Sequence, residues 1–358
     1  MGSERDLSIA VVIGGCGYLG SNLVKALRAE PTCSAVHVIS RNPAQNLYPD
    51  VSYHAGDIAN SQQISSLFAE IKPRVIFHAA SPKHIEPERI LRQTNIEGTR
   101  VLLKSAAESP SVRAFVYTST DSAIVQNPGI KLTEDAARLY TEQSRVNPYA
   151  RTKAIADFEV QAADAPPTLS TAVIRIPGLY GENDDNCVGT LLNSVKKDQH
   201  KIQIGPDKLL FEFVYVEKAC EAHILAAKAL LATDAKVGGE AFFVSDGVSL
   251  PYFEFARKLY AGAGHPVAKD EIKVMPLWLV VGIALLGEWL YWIFTFNTKT
   301  PEVRSRAIKH LGGGCQWDIT KAKKILGYKP VADQDAVIKK VAVSEAKRLA
   351  IASNRTAL

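Results

Sequence analysis

Short runs of aliphatic residues alternate with stretches of helical periodicity through the first half of the chain. Residues 9–13, 35–39, 51–55, 75–78 and 114–119 are nearly continuous in apolar side chains, and each predicts a strand. Between them, 21–29, 61–71 and 89–108 predict helices. Strands with no polar alternation are buried on both faces, so the pattern predicts a parallel sheet covered by helices on both sides. Right-handed crossovers make such a sheet doubly wound, with its ligand crevice at the carboxyl ends of the strands. Residues 171–175 predict one more strand. Beyond them the alternation turns irregular, punctuated by Pro177, Pro206, Pro251, Pro276 and Pro301. The expected organisation is a core over 1–175 and, over 176–358, mainly a smaller C-terminal substrate-binding lobe intertwined with it.

The end of the first strand carries the clearest chemistry. Ile13 runs straight into Gly14-Gly15-Cys16-Gly17-Tyr18-Leu19-Gly20, and a helix follows. Glycines here serve a tight turn, close approach of backbone to a pyrophosphate, and helix–strand packing. The helix start offers free N–H groups and partial positive charge to phosphates. Gly14, Gly17, Tyr18, Leu19 and Gly20 are therefore the expected cradle of a dinucleotide, and the sheet is of the Rossmann type. NAD is bound through an acid near the end of the second strand, but that place reads Ser40-Arg41. A hydroxyl and a guanidinium suit a 2′-phosphate, so NADP is preferred over NAD. Asp57 and Ile58 are candidates for the adenine edge, with an ordinary turn Asp as the equal alternative. Ala79-Ala80-Ser81 is small where backbone would pass beneath a cofactor; tight packing is the other reading.

Tyr149 and Lys153 lie four residues apart, on one face of a helix whose first turn holds Pro148. A phenol titrating near 10 is a poor base at neutral pH. An ammonium about 4 Å away stabilises its anion by about 4 kcal/mol at an effective dielectric of about 20, or about 3 pH units before burial is counted. The expectation is a phenol lowered by Lys153 and poised as general acid/base. In an arbitrary chain such a pair is an exposed surface pair. The preceding strand favours chemistry, because it ends in Thr118-Ser119-Thr120 and supplies hydroxyl donors for a substrate oxygen.

Composition mostly excludes. A hydrophobic share of 47% with 22% charged residues is that of a folded globular chain. The net charge of +5 comes without a Lys/Arg block, so no nucleic-acid partner is expected. Cys16, Cys33, Cys187, Cys220 and Cys315 are scattered without C-x-x-C spacing, which predicts no metal, no disulfide framework and a reducing compartment. Residues 1–7 carry no apolar stretch, so no secretory leader and a cytoplasmic location are expected.

Residues 277–294 form an apolar segment broken only by Glu288, and Trp278, Trp289 and Trp292 fall within it. A spanning helix needs about 20 apolar residues and rarely tolerates a central acid. Two readings remain. One is a helix in the membrane interface with the tryptophans and Tyr291 at headgroup level, peripheral on the endoplasmic reticulum. The other is a buried helix lining a greasy pocket. Both imply a lipophilic small-molecule substrate.

Taken together, these motifs resemble the extended short-chain dehydrogenase/reductases. Gly14/Gly17/Gly20, Thr120 and Tyr149/Lys153 match that family's signatures. Asn95-Ile96-Glu97-Gly98-Thr99 is similar to its N-x-x-G-T helix, and 175–181, with Pro177 and Gly178, to its nicotinamide loop. The resemblance narrows to the 3β-hydroxysteroid dehydrogenase branch, and most of all to its sterol-4α-carboxylate 3-dehydrogenases, on residues 211–216, 239–244, 253–256 and 318–330.

It implies an NAD(P)-dependent oxidoreductase that interconverts alcohol and ketone on a sterol- or terpenoid-like substrate, with decarboxylation where a 4-carboxylate is present. Tyr149 would exchange the proton, Thr120 or its neighbour Ser119 would hold the oxygen, and Lys153 would lower the phenol and grip the nicotinamide ribose. Asn95, Ser119, Pro177 and Gly178 would border the cofactor, and a homodimer is allowed. Two departures, Ser40 where relatives carry Asp and Lys218 where they carry Asn, point to a changed task. The rivals are a nucleotide-sugar epimerase or dehydratase of the same superfamily, and a non-catalytic dinucleotide sensor, which needs neither Tyr149 nor Lys153.

Overall fold

The computed structural model describes residues 5–232, 237–295, 311 and 313–356. Its strands run β1 Ser8–Ile13, β2 Cys33–Ser40, β3 Ser52–Ala55, β4 Val75–His78, β5 Ala114–Thr120, β6 Lys131–Leu132 and β7 Ser170–Ile176. They continue with β8 Gly178–Tyr180, β9 Ile202–Ile204, β10 Leu210–Tyr215, β11 Glu240–Phe243, β12 Ser249–Pro251, β13 Lys273–Met275 and β14 Gln316–Trp317. The helices of the first half are α1 Tyr18–Arg28, α2 Ser61–Ile71, α3 Glu88–Arg92, α4 Thr99–Glu108 and α5 Pro148–Ala162. Those of the second are α6 Val188–Lys196, α7 Val216–Leu230, α8 Tyr252–Gly262, α9 Leu277–Thr295 and α10 Gln334–Thr356.

Seven parallel strands form the main sheet in the order β3-β2-β1-β4-β5-β7-β11. The chain reverses direction across the sheet beside β1, so the turn after β1 and the end of β4 flank the switch point where ligands bind. Alternate side chains of each strand enter different cores. Ala10 and Val12 of β1 pack with Leu23, Val24 and Leu27 of α1, whereas Val11 and Ile13 pack with Ile64 and Phe68 of α2 and Leu102 of α4. Likewise β5 sends Ala114 and Val116 to one side and Phe115 and Tyr117 to the other. With both faces covered, every position must be apolar, which is why these runs are continuous.

The single helix expected over 89–108 is divided. A π-helical turn, Gln93–Gly98, separates α3 from α4. Gly98 lies against Ile58, where a Cβ would come within 2.5 Å of the Ile58 Cδ1, and the turn buries Asn95.

The second half both completes the sheet and builds beside it. Strand β11 pairs with β7, and α7 packs over β5 and β7. A three-stranded sheet of β12, β10 and β8 and the pairs β9–β13 and β6–β14 make up the rest. Tyr180, Phe213 and Phe255 join its core, the two phenylalanine rings stacking with centroids 3.7 Å apart. Helix α9 does not enter that core. Trp278 is 76% exposed and Trp289 57%, and Ile283, Leu285 and Leu286 are exposed with them. The rings of Tyr291 and Trp292 lie outside the described residues. Among the described residues no helix is long and apolar enough to cross a membrane.

Candidate active site

The turn after β1 is built from contacts that only glycine permits. Gly14 has φ +81°, and a Cβ there would meet the Ala80 Cα at 2.7 Å; at Gly20 a Cβ would meet the Gly14 carbonyl oxygen at 2.2 Å. Ala80 is thus small because β4's end presses on the glycine turn. Gly17 differs: it is exposed, and a Cβ there would touch only the Gly14 oxygen, at 3.3 Å. It starts α1 with no side chain capping the helix, so the first-turn N–H groups of Tyr18, Leu19 and Gly20 have no side-chain acceptor there. The Tyr18 hydroxyl is buried beside Gly181 without a hydrogen-bond partner. An uncapped positive helix end under an exposed glycine fits a pyrophosphate.

Ser40, ending β2, hydrogen-bonds the thiol of Cys16 in the same turn, and Arg41 follows it into solvent. Asp57 caps its own turn, its carboxylate accepting from the Ala59 N–H at 3.0 Å. Ile58 is buried against Gly98. Pro177 is buried and Gly178 exposed at the start of β8, beside Phe213. A cavity of about 570 Å³ lies against α5, and its lining, with Leu139, Ile155 and Phe158, includes neither Tyr149 nor Lys153.

Helix α5 begins with Pro148 after Asn147, whose side chain accepts from the Tyr149 N–H. Tyr149 and Lys153 face the ends of β4 and β5, and Thr118, Ser119 and Thr120 end β5 beside them. The electrostatics, however, differ from the sequence expectation. Lys153 does not lower the phenol. Its ammonium donates to the Thr118 carbonyl at 2.6 Å and lies 4.1 Å from the centre of the Tyr117 ring. Burial dominates both groups: Tyr149 is pushed up to about 12, by desolvation first and the Asp121 charge next, against a hydrogen bond with Ser81. Lys153 is lowered to about 7 by desolvation, with Asp157 opposing. The same ammonium joins burial in holding His78 down at about 3.

Thr120 also departs from its expected part as a donor. Its hydroxyl donates to Asp121 at 3.3 Å and accepts from the Ser122 N–H at 3.2 Å. One lone pair remains, so Thr120 can accept from a substrate alcohol. Asp121 is fixed in turn by the Cys315 thiol at 3.3 Å. Ser119 is buried, and its hydroxyl has no partner.

Ser81, read from sequence as a cofactor contact, joins Tyr149 to a buried chain. Its hydroxyl donates to Asn95 at 2.9 Å, and the Asn95 amide donates to Thr152 at 3.0 Å, one turn of α5 along from Tyr149. Thr99 bonds the Asn95 carbonyl and reaches His78 at 3.0 Å. Sequence reasoning missed Asp121, His84 and the partner of Lys153. Asp121, directly after the hydroxyl triplet, was the available signal. His84 sets its ring edge-on to Tyr149 with centroids 6.4 Å apart. His223 is buried and bonds Thr118 at 2.8 Å, which makes it structural.

A doubly wound sheet with a glycine turn at its switch point and a Thr/Tyr/Lys group beside it defines an oxidoreductase of the extended short-chain dehydrogenase/reductase type that uses a nicotinamide dinucleotide. The chain belongs to the 3-beta hydroxysteroid dehydrogenase/isomerase family, whose sequence profile matches residues 11–276. It is 43% identical over 290 residues to the decarboxylating sterol-4-alpha-carboxylate 3-dehydrogenase of Gibberella zeae, covering 79% of this chain and 94% of that one. It is 30% identical to human short-chain dehydrogenase/reductase family 42E member 1, covering 94% of this chain and 88% of the relative. Among solved structures, UDP-glucose 4-epimerase of Thermotoga maritima superposes with TM-score 0.71 at 19% identity, covering 95% of this chain and 99% of that one. That likeness is one of fold.

Proposed function

We propose that this chain oxidises the ring hydroxyl of a sterol- or terpenoid-like 4-carboxylate to a ketone, with loss of CO2 and with NADP as the preferred acceptor. The observation that carries the reading is a half-buried phenol, Tyr149, set near the Asp121 carboxylate that follows the Thr120 hydroxyl at the end of β5. The names of the relatives support the acid, and Ser40-Arg41 at the end of β2 supports NADP.

The residues of the helix start and glycine turn would hold the pyrophosphate, and Arg41 with Ser40 the 2′-phosphate. When bound, the nicotinamide supplies the hydride acceptor. Thr120 would border the substrate oxygen and orient it, while the Tyr149 phenolate takes the O–H proton. One N–H of Lys153 is held by Thr118, leaving two donors for a ribose. The ketone formed is beta to the carboxylate, so the C–C bond electrons pass to the ketone oxygen as CO2 leaves. Tyr149 then returns its proton to that oxygen.

The test incubates the purified protein with a 4α-carboxylated sterol alcohol and NADP+ or NAD+. Reduced nicotinamide and a decarboxylated ketone are expected, faster with NADP+, and Arg41→Ala should remove the NADP+ advantage. Inertness toward sterol acids together with turnover of a UDP-hexose would overturn the reading.

We further propose that α9 docks in a membrane interface, because its exposed tryptophans and aliphatic residues would gain by burial in lipid. Flotation with phosphatidylcholine vesicles is expected for the full chain and should be lost in Trp278→Ser/Trp289→Ser. A full chain that stays at the bottom of the gradient contradicts it.

A further inference from the structure

We propose that the cavity against α5 is a second ligand site, which takes a neutral lipophilic molecule through one acceptor oxygen, hydroxyl or carbonyl, hydrogen-bonded to Arg175. Neither Tyr149 nor Lys153 lines it, so it is separate from the catalytic crevice.

The cavity holds about 570 Å³, within the range of about 300–1,000 Å³ that suits a small organic ligand. Its walls are largely apolar: Ala137 and Leu139 from the stretch after β6, Ala154, Ile155 and Phe158 from α5, and Ala241 from β11. The Phe158 ring is 64% exposed, and covering it with a lipophilic ligand is favourable.

Arg175, near the end of β7, is the polar anchor. Its side chain is only 4% exposed, yet it lines this cavity. Its Nε and Nη2 donate to the Asp157 carboxylate at 2.9 and 2.8 Å. Among the described residues Nη1 has no acceptor, and it is not sealed away from solvent. A guanidinium has five N–H donors, so the two on Nη1 remain for a ligand oxygen.

The charges on the lining select a neutral ligand. Arg175 is already neutralised by Asp157, and Lys321 by Glu240. Glu134, Asp135 and Glu142 add negative charge, with Glu142 reaching Arg92. A ligand carboxylate therefore meets repulsion and no cation to spare. A ligand ammonium, having only donors, cannot accept from Arg175. Glu134 takes the Phe243 N–H at 2.7 Å, and burial holds its carboxyl above the usual range, which makes it a weak anchor for an ammonium.

The experiment titrates the full chain by calorimetry with 2-decalone, a bicyclic ketone, and with decalin-2-carboxylate and 2-aminodecalin as comparators. One 2-decalone per chain is expected, bound about 10- to 100-fold more tightly than either comparator, the worth of a hydrogen bond to a charged group. Ile155→Trp and Ala137→Phe fill the cavity from different walls, and each should weaken 2-decalone by about 10-fold or more. Tyr149→Phe should bind it as wild type does. Dinucleotide affinity, measured by fluorescence quenching, verifies that each variant is folded. No binding of 2-decalone, tighter binding of the acid or the amine, wild-type affinity in either cavity variant, or loss of binding in Tyr149→Phe would each overturn the proposal.

Discussion

Replacing Tyr149 by Phe should lower kcat by about 10²–10⁴-fold, the range of positioned acid–base catalysis, and leave dinucleotide affinity unchanged. The substitution deletes one oxygen from a ring that α5 holds in place through Pro148, Asn147 and the Asn95–Thr152 bond. The glycine turn that would hold the cofactor is built from other residues. The pH dependence gives a second readout. Alcohol oxidation needs the phenolate, and in the free protein burial and Asp121 push Tyr149 up to about 12. The phenolate fraction therefore rises with pH throughout the neutral range, and wild-type kcat/KM for oxidation should rise with it. The residual rate of Tyr149→Phe should lose that slope. Steady-state rates between neutral and alkaline pH decide the point; a variant with wild-type rate and slope would remove Tyr149 from the chemistry.

The second large effect is on stability. Asp157 on α5 and Arg175 on β7 form a forked pair, with Nε and Nη2 donating to the two carboxylate oxygens at 2.9 and 2.8 Å. Their side chains are 0% and 4% exposed. Asp157→Ala leaves a guanidinium buried without its partner, which costs about 3–5 kcal/mol. For a chain of this length that is a fall in Tm of about 4–7 °C. Arg175→Met in the same chain should recover part of the loss by removing the stranded charge. Asp157 also supports the charge on Lys153, so the single variant should lose activity beyond its loss of stability. Calorimetry of the three variants is the check, and an unchanged Tm in Asp157→Ala would contradict the account of the pair.

The main sheet was legible because burial on both faces forces unbroken apolar runs, and β4 and α2 fall at the limits the pattern predicts. The second half was not. Its strands β8, β9, β12 and β14 span two or three residues each, too short for a period to register, and β11 joins the main sheet through a contact distant in sequence. The division inside 89–108 was hidden because a π turn keeps helical spacing on either side of it.

At the site, the glycines and the Tyr149–Lys153 spacing were readable as motifs. Their electrostatics were not, since the phenol's state is set by burial and by Asp121 rather than by the lysine four residues along. Helical spacing gives the face a side chain shares. It does not say that a backbone carbonyl at Thr118 will capture the ammonium.

The central claim is that a carbinol hydrogen leaves as hydride in the crevice beside Tyr149. A 4α-carboxylated sterol alcohol deuterated at its carbinol carbon measures this directly by mass spectrometry of both products. The label should appear in the reduced nicotinamide and the sterol should emerge as an unlabelled ketone without its acid. Deuterium retained on the sterol, with the nicotinamide unlabelled, would contradict it.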